Sequence, residues 1–221
     1  MSLQFIMGNS GSGKSYCLYD TVVREAIENP DKNYLVIVPE QFTMQTQKDL
    51  CLAHPKGGIM NIDVLSFGRL AYRVFEEVGQ DARVVLDDEG KNLVLRKIAG
   101  ECEKDLKVFK GNLKKQGYIS EVKSVLSEFA QYGVDFERLD DFMKEVPPES
   151  YLHYKLDDIR TIYEKFEEYL SEKYITKEEM LDVLSDAVPY SDILKGSVVA
   201  MDGFTGFTPV QNRLIGELFS V

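Results

Sequence analysis

Short apolar runs alternate with helix-spaced apolar stripes over the first eighty residues. Leu3-Gln4-Phe5-Ile6-Met7 reads as a buried strand, and Tyr16 to Ile27 as a helix. After the polar turn Asn29-Pro30-Asp31-Lys32-Asn33, the β-branched run Tyr34 to Val38 reads as a second buried strand, ended by Pro39. Glu40-Gln41-Phe42-Thr43 leads into a helix through Leu50, and Gly57-Gly58 marks a loop. Ile62 to Leu65 predicts a third strand, with Ser66 as N-cap of a helix from Phe67 to Val78. Strands alternating with helices predict a parallel sheet with helices on its faces and ligands at the carboxyl ends of the strands. Three loops should converge there: the one before Tyr16, Pro39 to Thr43, and Ser66-Phe67.

From about Asp87 the pattern changes, and strand-like runs are absent for roughly a hundred residues. Val122, Val125, Leu126 and Phe129 keep helical spacing, as do Ile159, Ile162, Tyr163, Phe166, Tyr169 and Leu170. Pro147-Pro148 breaks this helical block in two. Its aromatic residues read as core rather than as a stacking platform, and His54 and His153 read as structural or exposed. Ser197 to Met201 then forms a strand ending in Asp202, and Thr208 with Pro209 opens a final helix to about Phe219. The expected organisation is an α/β domain, residues 1–86 plus 190–221, interrupted by an all-helical insertion, residues 87–189.

Composition narrows the setting. With 44% hydrophobic residues the chain can bury a core, yet no apolar run has the roughly 20 residues of a membrane span. Three cysteines without a C-x-x-C pair argue against a disulfide framework or a zinc site, and a cytoplasmic location is expected. The net charge of −11 is awkward for nucleic acid, but residues 81–195 hold most of the excess, with 26 acidic against 18 basic side chains. Residues 1–80 carry 9 and 7, so a nucleic-acid path there is open.

The chemistry concentrates at Gly8-Asn9-Ser10-Gly11-Ser12-Gly13-Lys14-Ser15, which fits G-x-x-x-x-G-K-[ST] between an expected strand and a helix. Glycines let successive N–H groups turn into one anion-sized hollow. Lys14 would reach the β- and γ-phosphates of ATP, and the Ser15 hydroxyl would ligate Mg²⁺. Tyr16 continues the helix, whose N-terminal dipole lies under the phosphates. An apolar strand ending in an aspartate is the expected second half of such a site, and Asp202 fills that role, 188 residues beyond Lys14. Small phosphate-loop kinases have a short chain here and an arginine-rich lid; this sequence has neither. A helical domain between the two halves suits a motor-type NTPase instead.

Four stretches together resemble the N-terminal part of the AddB/RexB subunits of bacterial ATP-dependent helicase–nucleases that process double-strand breaks. They are the Gly8–Ser15 loop, Val38-Pro39-Glu40-Gln41-Phe42-Thr43, the run from Val64 to Phe75, and Asp202-Gly203-Phe204-Thr205-Gly206-Phe207-Thr208-Pro209. Leu86 to Lys91 and Lys155 to Ile159 agree as well. The resemblance implies a P-loop NTPase fold of the RecA-like, superfamily 1 helicase type. It implies contacts to single-stranded DNA from the loop after Pro39, with Gln41 and Thr43, and from Ser66, with Arg69 and Arg73 following on one helix face. Simple helix capping by Ser66, and pairing of the arginines with Glu76 and Glu77, are the alternatives. It further implies an AddA-type helicase–nuclease partner and a single-stranded DNA end as ligand in the complete complex. The chain would then be one N-terminal part of a longer protein, without the nuclease domain or its iron–sulfur cluster.

Helicases of this type usually carry Glu directly after the metal-site Asp, and here that position is Gly203. No catalytic residue is therefore assigned. The leading expectation is an ATP-binding helicase-like region. Its rivals are a non-hydrolysing scaffold or DNA-scanning module with a regulatory phosphate loop, and, remotely, a small-molecule kinase.

Overall fold

In the computed structural model of the protein, which describes residues 3–79, 83–112, 115–171 and 173–221, the most apolar run becomes the centre of a sheet. Strand β1 (Tyr34–Ile37) pairs in parallel with β2 (Ile62–Leu65) on one side and with β5 (Val198–Met201) on the other. Every residue of β1 is buried, as expected for a central parallel strand covered on both faces. Helix α1 (Lys14–Glu28) lays Val22, Val23 and Ala26 on the face carrying Tyr34, Val36 and Val38, and α2 (Thr43–Ala53) adds Leu50 to the same cluster. Helix α3 (Phe67–Val78) packs against β2 and buries Phe67, Leu70, Ala71 and Val74. The final helix, α9, spans Pro209–Leu218.

The expected first strand does not form. Residues 3–9 have no strand pairing, and Leu3, Phe5 and Met7 are 59, 75 and 90% exposed. A parallel strand is stabilised by ladder bonds to a neighbour, and among the described residues β5 has a strand on one side only. The apolar pattern is there without the pairing that would make it a strand.

The remaining elements are α4 (Asp88–Glu101), α5 (Gln116–Tyr132), α6 (Phe136–Glu145), α7 (Tyr151–Leu170) and α8 (Glu179–Ala187). They are accompanied by a second strand pair, β3 (Val84–Leu86) and β4 (Tyr174–Thr176), also parallel. The helical block is thus not free of strands. At three residues each, these two are too short for a periodicity to register. The chain divides into two compact units, residues 1–80 with 181–207 and 211–221, and residues 81–180 with 208–210. Because β3 pairs with β4, Val84–Leu86 belong with the helices rather than with the sheet, where the sequence pattern places them.

The second unit has its own core, in which Leu95, Ile98, Ile119, Val122, Ile162 and Phe166 are buried together. Its polar groups are used internally. Asp158, 1% exposed, accepts hydrogen bonds from the backbone N–H groups of Lys107, Val108 and Phe109 at 2.8, 2.7 and 2.8 Å. Lys91, 3% exposed, pairs with Glu178 at 2.6 Å and donates to Ser127. Among the described residues no helix is long and apolar enough to cross a membrane.

Candidate nucleotide-binding site

The loop ahead of α1 is built by glycines. Gly11 and Gly13 have φ of +76° and +84°, left-handed conformations in which a side chain is strained. Between them the Ser12 N–H donates to the Asn9 carbonyl at 3.2 Å, closing a turn. Gly13 is the N-cap of α1, and no side chain caps the helix; its first turn carries no acid. The N–H groups of that turn are therefore open donors beneath the positive end of the helix dipole. Lys14 folds back over the loop, its Nζ donating to the Asn9 carbonyl at 2.8 Å. Gly8 to Gly13, Ser15 and Tyr16 are exposed, so the whole loop faces solvent.

Asp202 follows the last residue of β5, and its N–H donates to the Ile37 carbonyl at 3.1 Å, which fixes it at the carboxyl end of the sheet. Its carboxylate is held by α1. The Tyr19 hydroxyl donates to Asp202 Oδ2 at 2.9 Å. Tyr19 lies four residues after Ser15, so both share one face of the helix. The metal-site residues expected from sequence, Ser15 and Asp202, thus belong to one face of α1 and the strand end it reaches. The Tyr19 hydroxyl also lies 3.2 Å from Thr46 Oγ1 on α2. Since a carboxylate only accepts, the Tyr19 proton goes to Asp202 and the Thr46 hydroxyl must donate to Tyr19. Burial, together with the Asp202 charge, pushes the Tyr19 phenol up to about 12, so it keeps that proton at neutral pH.

The residue set fits a metal–nucleotide better than a bare metal. Among the described residues no group of three or more His, Cys, Asp or Glu side chains could hold an ion. Ser15 and Asp202 offer few ligands, which suits Mg²⁺, an ion that keeps several waters and binds mainly through phosphates.

A cleft of about 560 Å³ opens at the same strand ends. It is lined by Pro39 to Phe42, Ser66 to Gly68, and Gly203 to Gly206. Two of the three loops expected to converge do so; the third wall is the segment after Asp202, not the Gly8–Ser15 loop. Phe67 and Phe204 pack at 5.3 Å between ring centroids, and Phe207 joins them. Phe42 stands 45% exposed at the rim. Gly203, at φ +78°, comes so close that a Cβ there would lie 3.3 Å from Phe42 and 3.4 Å from Pro39. At the position where helicases of the resembled type carry an acid, a side chain would therefore be strained by the backbone and would press on the Phe42 ring.

The residues expected to contact DNA fare differently. Gln41 is exposed and lines the cleft. Arg69 is exposed and sits 3.6 Å from Glu40, rather than pairing with Glu76 or Glu77. Thr43 is buried, and its hydroxyl donates to the Glu40 carbonyl at 3.0 Å. Ser66 is buried too, and its Oγ accepts from the Arg69 N–H at 3.3 Å, the capping role. Arg73 pairs with Asp63. Sequence reasoning missed Tyr19, Thr46 and the rings of Phe42, Phe204 and Phe207. The i, i+4 spacing of Ser15 and Tyr19 was the available signal for the first; nothing local announced the others.

The comparisons with known proteins agree on one family. The family described as ADDB, N-terminal matches residues 5–221. Three proteins, each named as the B subunit of an ATP-dependent helicase/deoxyribonuclease, are similar over 99% of the chain. That of Lachnoclostridium phytofermentans is 49% identical over 218 residues, that of Clostridium tetani 37% over 220, and that of Alkaliphilus metalliredigens 36% over 218. The chain spans 19% of the length of each of these relatives. With its glycine-rich loop, its aspartate at the end of β5 and a family match across nearly all of its length, the chain belongs to the AddB N-terminal family.

Proposed function

We propose that this chain is the ATP-binding, helicase-like region of a DNA double-strand-break repair helicase–nuclease, with a RecA-like sheet as its nucleotide platform. The observation that carries this reading is the Tyr19–Asp202 hydrogen bond of 2.9 Å, which ties the strand-end carboxylate to the helix that Lys14 and Ser15 begin. Lys14 and the open N–H groups of the first turn hold the phosphates. Ser15 and Asp202 would hold Mg²⁺, which would offset the charge of the phosphates. The cleft takes single-stranded DNA. Its lining is aromatic and neutral apart from Glu40, which suits bases stacked on Phe42 more than a row of phosphates. The relatives are named as one component of a larger enzyme, and the partner proposed is an AddA-type helicase–nuclease in the cytoplasm.

The left-handed Gly203 favours binding over hydrolysis. It provides no acid to position the attacking water, and the space beside it is filled by Phe42 and Pro39. The chain then acts as a nucleotide-gated DNA-scanning module while its partner drives unwinding. Fluorescence anisotropy of a labelled single-stranded oligonucleotide, with and without Mg²⁺ and a non-hydrolysable ATP analogue, tests the proposal. Nucleotide-dependent binding, weakened roughly tenfold in Phe42→Ala, is expected. Equal binding with and without nucleotide, unchanged in the variant, would overturn it. Vigorous ATP turnover by the isolated chain would contradict the non-hydrolytic reading alone.

A further inference from the structure

We infer that Tyr19 is the positioning residue of the metal half of this site, and that Thr46 supports it, so that the hydroxyl relay Thr46–Tyr19–Asp202 sets the affinity for Mg²⁺. The inference rests on the nucleotide-site reading above and assigns roles that reading leaves open.

Three observations carry it. First, the relay has a fixed polarity. Asp202 Oδ2 accepts from Tyr19 at 2.9 Å, and Tyr19 in turn receives from Thr46 at 3.2 Å, since only this order satisfies a carboxylate that cannot donate. Secondly, both anchors are held by packing. Thr46 is 3% exposed on α2, and Tyr19, one helical turn beyond Ser15, is half-buried against the core around β1. Thirdly, Tyr19 uses Oδ2, and Oδ1 would remain as the acceptor that helps hold Mg²⁺. The hydrogen bond locks the carboxylate torsion, which is otherwise broad and roughly two-fold. Groups that orient a metal ligand in this way typically govern metal affinity by about 10- to 100-fold. Asp202 would only help hold the ion, so the lower end of that range applies.

The relay also has a direction in the fold. Thr46 lies one turn into the helix that follows Glu40–Phe42, the segment lining the cleft. Asp202 is followed directly by Gly203, which packs on the same Phe42.

The test is a Mg²⁺ titration of fluorescent ATP-analogue binding, read as the metal concentration at half-maximal signal. It compares the unmodified chain with Tyr19→Phe and Thr46→Val, with binding in EDTA as the reference. Tyr19→Phe keeps the ring and its packing and removes only the donor. The expected result is a midpoint raised about tenfold in Tyr19→Phe and about two- to threefold in Thr46→Val, with metal-free binding unchanged. A merely structural tyrosine would shift stability or metal-free binding and leave the Mg²⁺ midpoint where it was. A Tyr19→Phe midpoint equal to that of the unmodified chain, in a protein that binds nucleotide, overturns the positioning role and leaves the nucleotide site standing. Absence of nucleotide binding in the unmodified chain overturns the underlying reading, and the positioning role with it.

Discussion

Side chains cap α4, α6 and α7 in the helical unit and α3 in the sheet unit, whereas α5 of the former and α1 of the latter start without one. In the helical unit, Asp87, Asp135 and Ser150 each cap a helix by accepting a backbone N–H, from Gly90, Arg138 and His153 respectively. Thr176 and Glu179 form a reciprocal capping box, with bonds of 2.7 and 3.2 Å. Three backbone donors near residue 108 are consumed by Asp158. In the sheet unit, α1 begins at an uncapped glycine, with its donors open and a lysine folded above them. A helix start built on a left-handed glycine, uncapped, without an acid in its first turn and with a lysine folded above it, supports the proposal that this terminus is kept open for a ligand.

The contrast is sharpest where a buried charge would be stranded. Lys91→Ala leaves Glu178 unpaired in a site where the lysine is 3% and the glutamate 13% exposed, and should cost about 3 to 5 kcal/mol of stability by urea denaturation. Nucleotide binding at a temperature where the variant is folded should be unchanged. A cost below about 1 kcal/mol would show that Glu178 finds water or another partner.

Glu167 supplies a pH test of the same unit. Burial, reinforced by the Glu179 charge, raises its carboxyl from the usual 4.5 to about 7. The folded state thus holds this proton more tightly than the unfolded state. Its contribution is fully present below pH 4.5, is lost as pH rises towards 7, and changes little above that. The change is on the order of 3 kcal/mol across the window. Glu167→Gln should remove this slope and make the protein more stable than the unmodified chain at about pH 8. Parallel pH profiles for the two proteins would refute it.

Smaller still is the cap comparison. Ser150→Ala should cost about 1 kcal/mol, the usual value for a lost N-cap. Gly13→Ala should cost a similar amount, from strain at φ +84°, but should also abolish nucleotide binding, which Ser150→Ala should leave intact. Equal nucleotide binding in the two variants would erase the distinction between the units.

Much of the sheet unit is legible in the sequence because its signals are local. The β-branched run at Tyr34, the Ser66 cap with Phe67–Val78 behind it, and Thr208-Pro209 before α9 each fall where the structure has an element boundary. Leu3 to Met7 misleads because a parallel strand depends on a neighbour that no local pattern reveals. The β3–β4 pair escapes for the same reason, at three residues each and eighty-eight residues apart from Leu86 to Tyr174. At the site, the glycine loop is legible because backbone geometry dictates its residue types. The side chains that complete it are not. Thr43 carries a hydroxyl that looks free in the sequence, but it is folded in and used by the backbone, as the Ser66 cap also is. Tyr19 reads as an ordinary helix residue until Asp202, 183 positions away, is placed against it.

The central claim is that the bare start of α1 binds a nucleotide, and one titration tests it most directly. A fluorescent ATP analogue with Mg²⁺ is added to the unmodified chain and to Lys14→Ala, with circular dichroism establishing that both are folded. The account predicts saturable binding to the first, and an affinity at least about tenfold lower in the second, since a charge-assisted contact to phosphate is lost. Folded, unmodified protein that does not bind the analogue, or a Lys14→Ala variant that binds it equally well, would contradict the account.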